Sequence, residues 1–182
     1  MQQLHPYKGN DLCGWMYDDE LEFLYNIANQ MESIVEIGTF NGRSTHALIS
    51  GSKVTKIYCV DPWQDQSEWL PKDTQSKAEY RYRGFLQMLK SMKAEDRVTV
   101  LRTTSVEASK LFEDKSIDMV FIDGLHELEA VQEDIECWLP KVNKLISGHD
   151  YEQMVCPDVK TVVDKKFNGK VKVCGTIWGV WL

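Results

Sequence analysis

The sequence has no run approaching the roughly 20 apolar residues needed to cross a bilayer. Its first residues, MQQLHPYKGN, lack the charged-then-apolar layout of a secretion signal. The expectation is a soluble, cytoplasmic chain with no membrane partner. It has no C-x-x-C pair, and its five cysteines (Cys13, Cys59, Cys137, Cys156 and Cys174) are odd in number and widely spaced. That argues against a disulfide framework and a structural zinc site, leaving reduced thiols. An excess of basic residues is also missing: the formal charge is -7. Nucleic acid, held chiefly by clustered Lys and Arg, is therefore not an expected partner. The one basic-aromatic run, YRYRG at 80–84, reads as a solvated helix face. Low-complexity segments, internal repeats and linkers are absent, so the 182 residues read as a single domain over 1–182.

What is present is an alternation of helical and extended periods. Leu21, Leu24, Ile27, Ala28 and Met31 recur at three- and four-residue steps and mark one apolar helix face between Asp18 and Met31. Ile34, Val35 and Ile37 form a short run suited to a strand covered on both faces, and a helix follows Gly42. The unit repeats with strands at 56–61, 97–101, 117–123 and 145–151. Helices are expected at 75–92, 105–112, 126–142 and 157–167. Such alternation predicts an α/β, doubly wound domain with a parallel sheet. The last runs, 170–174 and 176–182, are too close for a crossover and predict an antiparallel pair. Between them and the start, DPWQDQSEWLPKDTQ at 61–75 is a long polar loop, a frequent form of binding element.

In an open parallel sheet, ligands sit beyond the carboxyl ends of the strands, where strand order reverses. Glu36, Asp61, Asp123 and Asp150 all fall at or just after such ends. Four acids on one rim suit cations, hydroxyls or both. Gly38 and Gly42 let the backbone approach a ligand, and the helix after them offers free N–H groups. The spacing is G-x-x-x-G and lacks the G-x-G-x-x-G of dinucleotide turns. A ligand joining a carboxylate, an ammonium group and a ribose fits better than a pyrophosphate.

Taken in order, VEIGTFNGRST, YCVDPW, VFIDGLHELEAVQEDIECWLP and ISGHDY resemble class I S-adenosylmethionine-dependent methyltransferases. The resemblance is to the small O-methyltransferase-like group that includes macrocin- and mycinamicin-type sugar methyltransferases, and more distantly to catechol O-methyltransferase. It covers the chain from Gly14 to the final hairpin. It implies a mostly parallel seven-stranded, Rossmann-like sheet with an antiparallel C-terminal strand. It also implies S-adenosylmethionine as cofactor and a hydroxyl on a small molecule or sugar as acceptor. By position, Glu36, Gly38, Thr39, Phe40, Gly42 and Ser44 would hold the methionine part, Asp61 the ribose, and Trp63 and Ser105 the adenine region. Asp123 borders the cofactor and, with His149 and Asp150, stands where metal-dependent relatives place magnesium ligands.

Imidazole suits softer metals than magnesium, so His149 departs from that pattern. His126 coincides with the general base of the related sugar methyltransferases, whereas His46 reads as helix packing. The acceptor pocket is expected between the segment through Trp15 and the loop bearing Trp63 and Trp69, either open or completed by a second subunit of a homo-oligomer. Two other readings stay open: a nucleotide-dependent oxidoreductase on the same sheet, and a non-catalytic relative that keeps the cofactor pocket.

Overall fold

The computed structural model describes residues 14–52, 55–64 and 75–182. In chain order they form α1 (Asp18–Ala28), β1 (Ser33–Ile37), α2 (Arg43–Gly51), β2 (Lys56–Val60), α3 (Gln75–Ser91), β3 (Val98–Leu101) and α4 (Ser105–Ser109). Then follow β4 (Ile117–Ile122), α5 (Leu128–Trp138), a 3-10 turn (Leu139–Lys141), β5 (Val142–Gly148), α6 (Pro157–Phe167), β6 (Lys172–Cys174) and β7 (Ile177–Trp181). Trp69, Cys13 and His5 lie outside the described residues. No described helix is long and apolar enough to cross a membrane.

All seven strands join one sheet in the order β3-β2-β1-β4-β5-β7-β6. The first five are mutually parallel, while β7 runs antiparallel to both β5 and β6. This is the doubly wound α/β sheet with an antiparallel end that the repeating pattern predicts. Successive strand residues point to opposite faces, which explains the continuous apolar runs. Ile34, Ile57, Cys59, Met119 and Phe121 pack with Leu21, Leu24, Leu48, Phe85 and Leu89 from α1, α2 and α3. Val35, Ile37, Val60, Val120 and Ile122 pack on the other side with Val131, Ile135 and Trp138 of α5 and with Val159, Val162 and Val163 of α6.

Two of the boundaries that differ from the expected ones bear on the site. The helix expected over 126–142 starts only at Leu128, which leaves His126 in the loop after β4. It gives way to the 3-10 turn around Pro140, so β5 begins at Val142 rather than 145, with Val142 paired to Ile117. A proline cannot supply the N–H that a continuing helix needs, and the released chain joins the sheet at once.

The sequence of crossovers reverses between β1 and β4. There the strand ends are stitched directly by the Asp123 amide, which donates to the Ile37 carbonyl at 2.8 Å, while on the other edge of β1 the Gly38 amide donates to the Val60 carbonyl of β2 at 2.9 Å. On the helical side, α1 crosses α2 closely enough that a methyl group on Gly51 would lie 1.9 Å from the Tyr25 carbonyl oxygen. Gly51→Ala must therefore push the two helices apart, since a backbone atom cannot step aside as a side chain does. A loss of at least about 2 kcal/mol is expected, in the range of core overpacking. Urea unfolding of the purified variant measures it.

Candidate functional site

The first half of the site is the turn between β1 and α2. Gly38 and Gly42 both adopt positive φ, 84° and 83°. Gly38 has no room for a side chain, because a Cβ would lie 1.9 Å from the Asp123 carbonyl oxygen across the strand reversal. Phe40, between them, also has positive φ, 50°, which is costly for a residue with a side chain. Asp61 holds it there: one carboxylate oxygen accepts the Phe40 amide at 2.8 Å, and the other accepts the Trp63 amide at 2.6 Å. Trp63 closes the loop by donating its indole N–H to the Phe40 carbonyl at 2.9 Å.

Glu36 forms the floor below this turn and is fully buried. It lies on the α2 side of the sheet, where the Thr45 hydroxyl donates to its Oε2. Burial pushes its carboxyl up to about 7, against the pull of the Ser44 and Thr45 hydroxyls, and nearby Asp123 adds to the rise. Its other oxygen, Oε1, and the Thr39 hydroxyl are buried without a well-formed partner among the described residues. An unsatisfied buried carboxylate oxygen at the open end of a parallel sheet marks a place for a donor from outside the chain.

The second half lies across the reversal, at the ends of β4 and β5. His149 is buried, and three carboxylates surround its ring. Nε2 faces Glu20 Oε2 at 3.2 Å, and Nδ1 lies 3.4 Å from both Asp123 Oδ1 and Asp150 Oδ1. Burial alone would depress its pKa, but hydrogen bonds with Asp123, Asp150 and Glu20 push it up to about 12. Glu20, from α1, has no exposed surface, and its Oε1 accepts both the amide and the hydroxyl of Thr176 at 2.7 Å. Its Oε2 also accepts the Tyr17 amide at 2.8 Å. Burial raises its pKa, yet the bonds from His149, Thr176 and Tyr17 outweigh that and hold it at about 2.

Above this cluster His126 pairs with Asp150, Nε2 to Oδ2 at 2.7 Å. Its side chain is 44% exposed, so the ring is open to a second molecule. The Asp150 hydrogen bond raises the His126 pKa despite partial burial. Asp150 itself, although burial would raise it, is held well below the usual carboxylate range by the two histidines.

The structure thus brings together Glu36, Gly38, Thr39, Gly42, Ser44 and Asp61 on one side and Asp123, His126, His149 and Asp150 on the other. Two expectations need correction. Trp63 offers no open face for an adenine: it is 4% exposed and packs against Tyr82 and Phe85, with ring centroids 4.9 and 5.4 Å away. Ser105 stands at the start of α4, where its hydroxyl accepts the Trp138 indole N–H at 2.9 Å. The 80–84 run is more than a solvated face, since the Arg81 guanidinium lies 4.8 Å over the Phe40 ring and Arg102 lies 4.4 Å over Tyr82. Trp15 packs on Phe40 with centroids 5.6 Å apart and stays 75% exposed. His46 packs in α2, where burial lowers its pKa.

Glu20 and Thr176 escaped the sequence reading. Glu20 looks like an ordinary first-turn acid of an amphipathic helix, and only the tertiary fold shows that it points inward. Magnesium fits the donor set poorly. Asp123 and Asp150 supply the hard oxygens it takes, but the third position is an imidazole, which suits borderline first-row ions.

Residues 35–151, well over half of the chain, match a family model described as a methyltransferase domain. An uncharacterized protein of Acanthamoeba polyphaga mimivirus is 27% identical over 173 residues, 90% of this chain and 73% of that protein. One from Sinorhizobium fredii is 28% identical over 127 residues, 65% of this chain, and this match spans only 13% of that much longer protein. Among solved structures, an O-methyltransferase of Bacillus cereus in complex with SAH superposes with a TM-score of 0.64 at 16% identity, covering 94% of this chain and 84% of the other. TomG of Streptomyces achromogenes, an O-methyltransferase of tomaymycin synthesis solved with SAM, gives 0.65 at 14% identity, with 94% and 82% covered. CalS11, a TDP-rhamnose 3'-O-methyltransferase of calicheamicin biosynthesis, gives 0.60 at 12%, with 88% and 76% covered. These likenesses establish a shared fold, and with the match over 35–151 the chain belongs to the methyltransferase-domain family.

Proposed function

We propose that the chain transfers a methyl group from S-adenosylmethionine to a hydroxyl of a small molecule or sugar, with His126 as the base. The observation that carries this reading is the pairing of an accessible His126–Asp150 dyad with an unsatisfied buried Glu36, one on each side of the strand reversal. The SAH and SAM complexes of two neighbours and the sugar substrate named for a third support the choice of donor and acceptor class.

S-adenosylmethionine, when bound, supplies a methyl group already activated on a sulfonium, so the chain's task is to hold, orient and deprotonate. Glu36 Oε1 receives the ammonium group of the methionine part, and Ser44 with the first amides of α2 receives its carboxylate. Asp61 uses one lone pair per oxygen on the turn and keeps the others for the ribose hydroxyls. Trp63 and Ser105 act from behind, the first by fixing Phe40 and the second by fixing Trp138. The acceptor rests against Trp15 and Phe40 with its hydroxyl toward His126. With the Nε2 hydrogen donated to Asp150, Nδ1 carries the free lone pair that takes the hydroxyl proton. Asp123, His149 and Asp150 would hold a divalent ion, which supplies Lewis acidity toward an acceptor oxygen.

Glu36 can be followed through its own titration. Its folded pKa of about 7 exceeds the ordinary 4.5. The protonated form is therefore the favoured folded one, and its stabilising contribution is complete below 4.5 and lost as pH rises through 7. Glu36→Gln removes that loss. The variant should gain on the wild type between pH 4.5 and 7 by up to about 3 kcal/mol, read as a difference in melting temperature of the ligand-free proteins. S-adenosylmethionine affinity, measured by calorimetry, should fall because the carboxylate that faces the ammonium is gone.

His126→Ala tests the base directly. The ring sits in an exposed loop, so folding and S-adenosylmethionine affinity should stay near wild type. Methyl transfer to a hydroxyl acceptor should drop about 100- to 10,000-fold. Added imidazole should restore part of the rate. Near-normal turnover by the variant on an acceptor the wild type methylates would remove His126 from proton transfer.

A further inference from the structure

We propose that Asp123, His149 and Asp150 form a selective site for a borderline divalent ion of the zinc or cobalt class, with Glu20 and His126 as the groups that hold its ligands in place. The proposal stands on the donor geometry alone and is independent of the methyl-transfer reading.

Three observations carry it. The first is spacing. His149 Nδ1 lies 3.4 Å from Asp123 Oδ1 and 3.4 Å from Asp150 Oδ1. A charge-assisted N–H···O bond is about 2.7–2.9 Å long, so neither contact is a well-formed one, and an N–H shared between two oxygens at this distance is a weak three-centre bond. Ligand bonds of about 2.0–2.1 Å in a tetrahedron, by contrast, put neighbouring ligand atoms about 3.3 Å apart. The second is orientation. Nε2 faces Glu20 Oε2 at 3.2 Å, which turns Nδ1 toward the two aspartates. A carboxylate on the far nitrogen is the usual way a ligating histidine is held in its tautomer. Glu20 is fully buried and braced by Thr176 and Tyr17, so this partner is rigid. The third is the division of labour at Asp150: Oδ2 takes His126 at 2.7 Å, while Oδ1 faces the cluster. His149 and Asp150 thus each have one atom committed outward, to Glu20 and to His126, and the other turned in toward Asp123.

The donor chemistry then sets the ion. Magnesium takes oxygen at near-ideal octahedral geometry and keeps several waters, whereas one imidazole with two carboxylates suits zinc, cobalt and their neighbours. A competing trio, His126, Asp150 and Cys156, lies alongside and would add a thiolate.

The test uses metal-stripped wild-type protein titrated with Co2+, Zn2+ and Mg2+. Co2+ should bind with a stoichiometry of one and give visible ligand-field absorption without a near-ultraviolet sulfur-to-cobalt band. By calorimetry Zn2+ should bind at least about tenfold more tightly than Mg2+. In protein labelled with 15N in histidine, Zn2+ should shift Nδ1 of the buried His149, a readout that needs no variant to fold. Glu20→Gln should weaken Zn2+ about 10- to 100-fold, as loss of a ligand's outer partner does. His149→Asp should narrow or reverse the preference over Mg2+. Equal affinity for Mg2+ and Zn2+, or no binding of any of the three, would overturn the proposal. So would a sulfur-to-cobalt band that disappears in Cys156→Ser, because the ion would then sit on the neighbouring trio.

Discussion

The rim depends on a carboxylate that never sees water. Glu20 points from α1 into the ends of the sheet and meets His149 at the end of β5 and Thr176 in the turn before β7. A buried charge is costly unless every lone pair finds a donor, and Glu20 has four partner groups: two amides, a hydroxyl and an imidazole. Breaking such a set by removing one member typically costs about 3–5 kcal/mol, because the rest stay behind unpaired. Surface pairs such as Arg83–Glu79 typically contribute about 0–1 kcal/mol. The first helix, the last hairpin and the reactive corner are therefore held by one electrostatic knot.

The backbone around the rim obeys a related rule. Phe40, Trp63 and Asp150 all sit at positive φ, of 50°, 43° and 61°, without being glycine. Each such residue stores roughly 1–3 kcal/mol that something else must offset. For Phe40 and Trp63 that something is Asp61, which ties both amides, reinforced by the indole bond back to Phe40. Asp150 is anchored by its two histidines. Strain and charge are concentrated where ligands must approach and are balanced by the same few carboxylates.

Much of this was readable in advance, for identifiable reasons. The run Ile34–Ile37 ending at a glycine reports a strand buried on both faces, because continuous apolar residues have no other stable use at that length. Glu36, Asp61, Asp123 and Asp150 could be placed on one rim because parallel strands all present their carboxyl ends on the same side. Boundaries failed where local signals compete: Pro140 ended α5 early, and Val142 fitted helix and strand equally well. Trp63 was misplaced because an aromatic beside a ligand-facing acid looks the same whether it faces the ligand or the core. Glu20 was invisible for a deeper reason. Its role is created by contacts with residues 129 and 156 positions away, and nothing in DDELEFLYNIA distinguishes an inward acid from an outward one.

That last point bears on how the domain can be divided. The segment that matches the family model runs from 35 to 151. It contains the glycine turn, both histidines and all three aspartates of the rim, yet the acid that balances His149 and the threonine that steadies that acid lie at 20 and 176. A chimera that transplants only the shared segment would carry a buried imidazole into a frame with no counter-acid below it. For this chain the transferable unit is larger than the recognisable one: it extends outward to whichever helix and hairpin close the charge beneath His149.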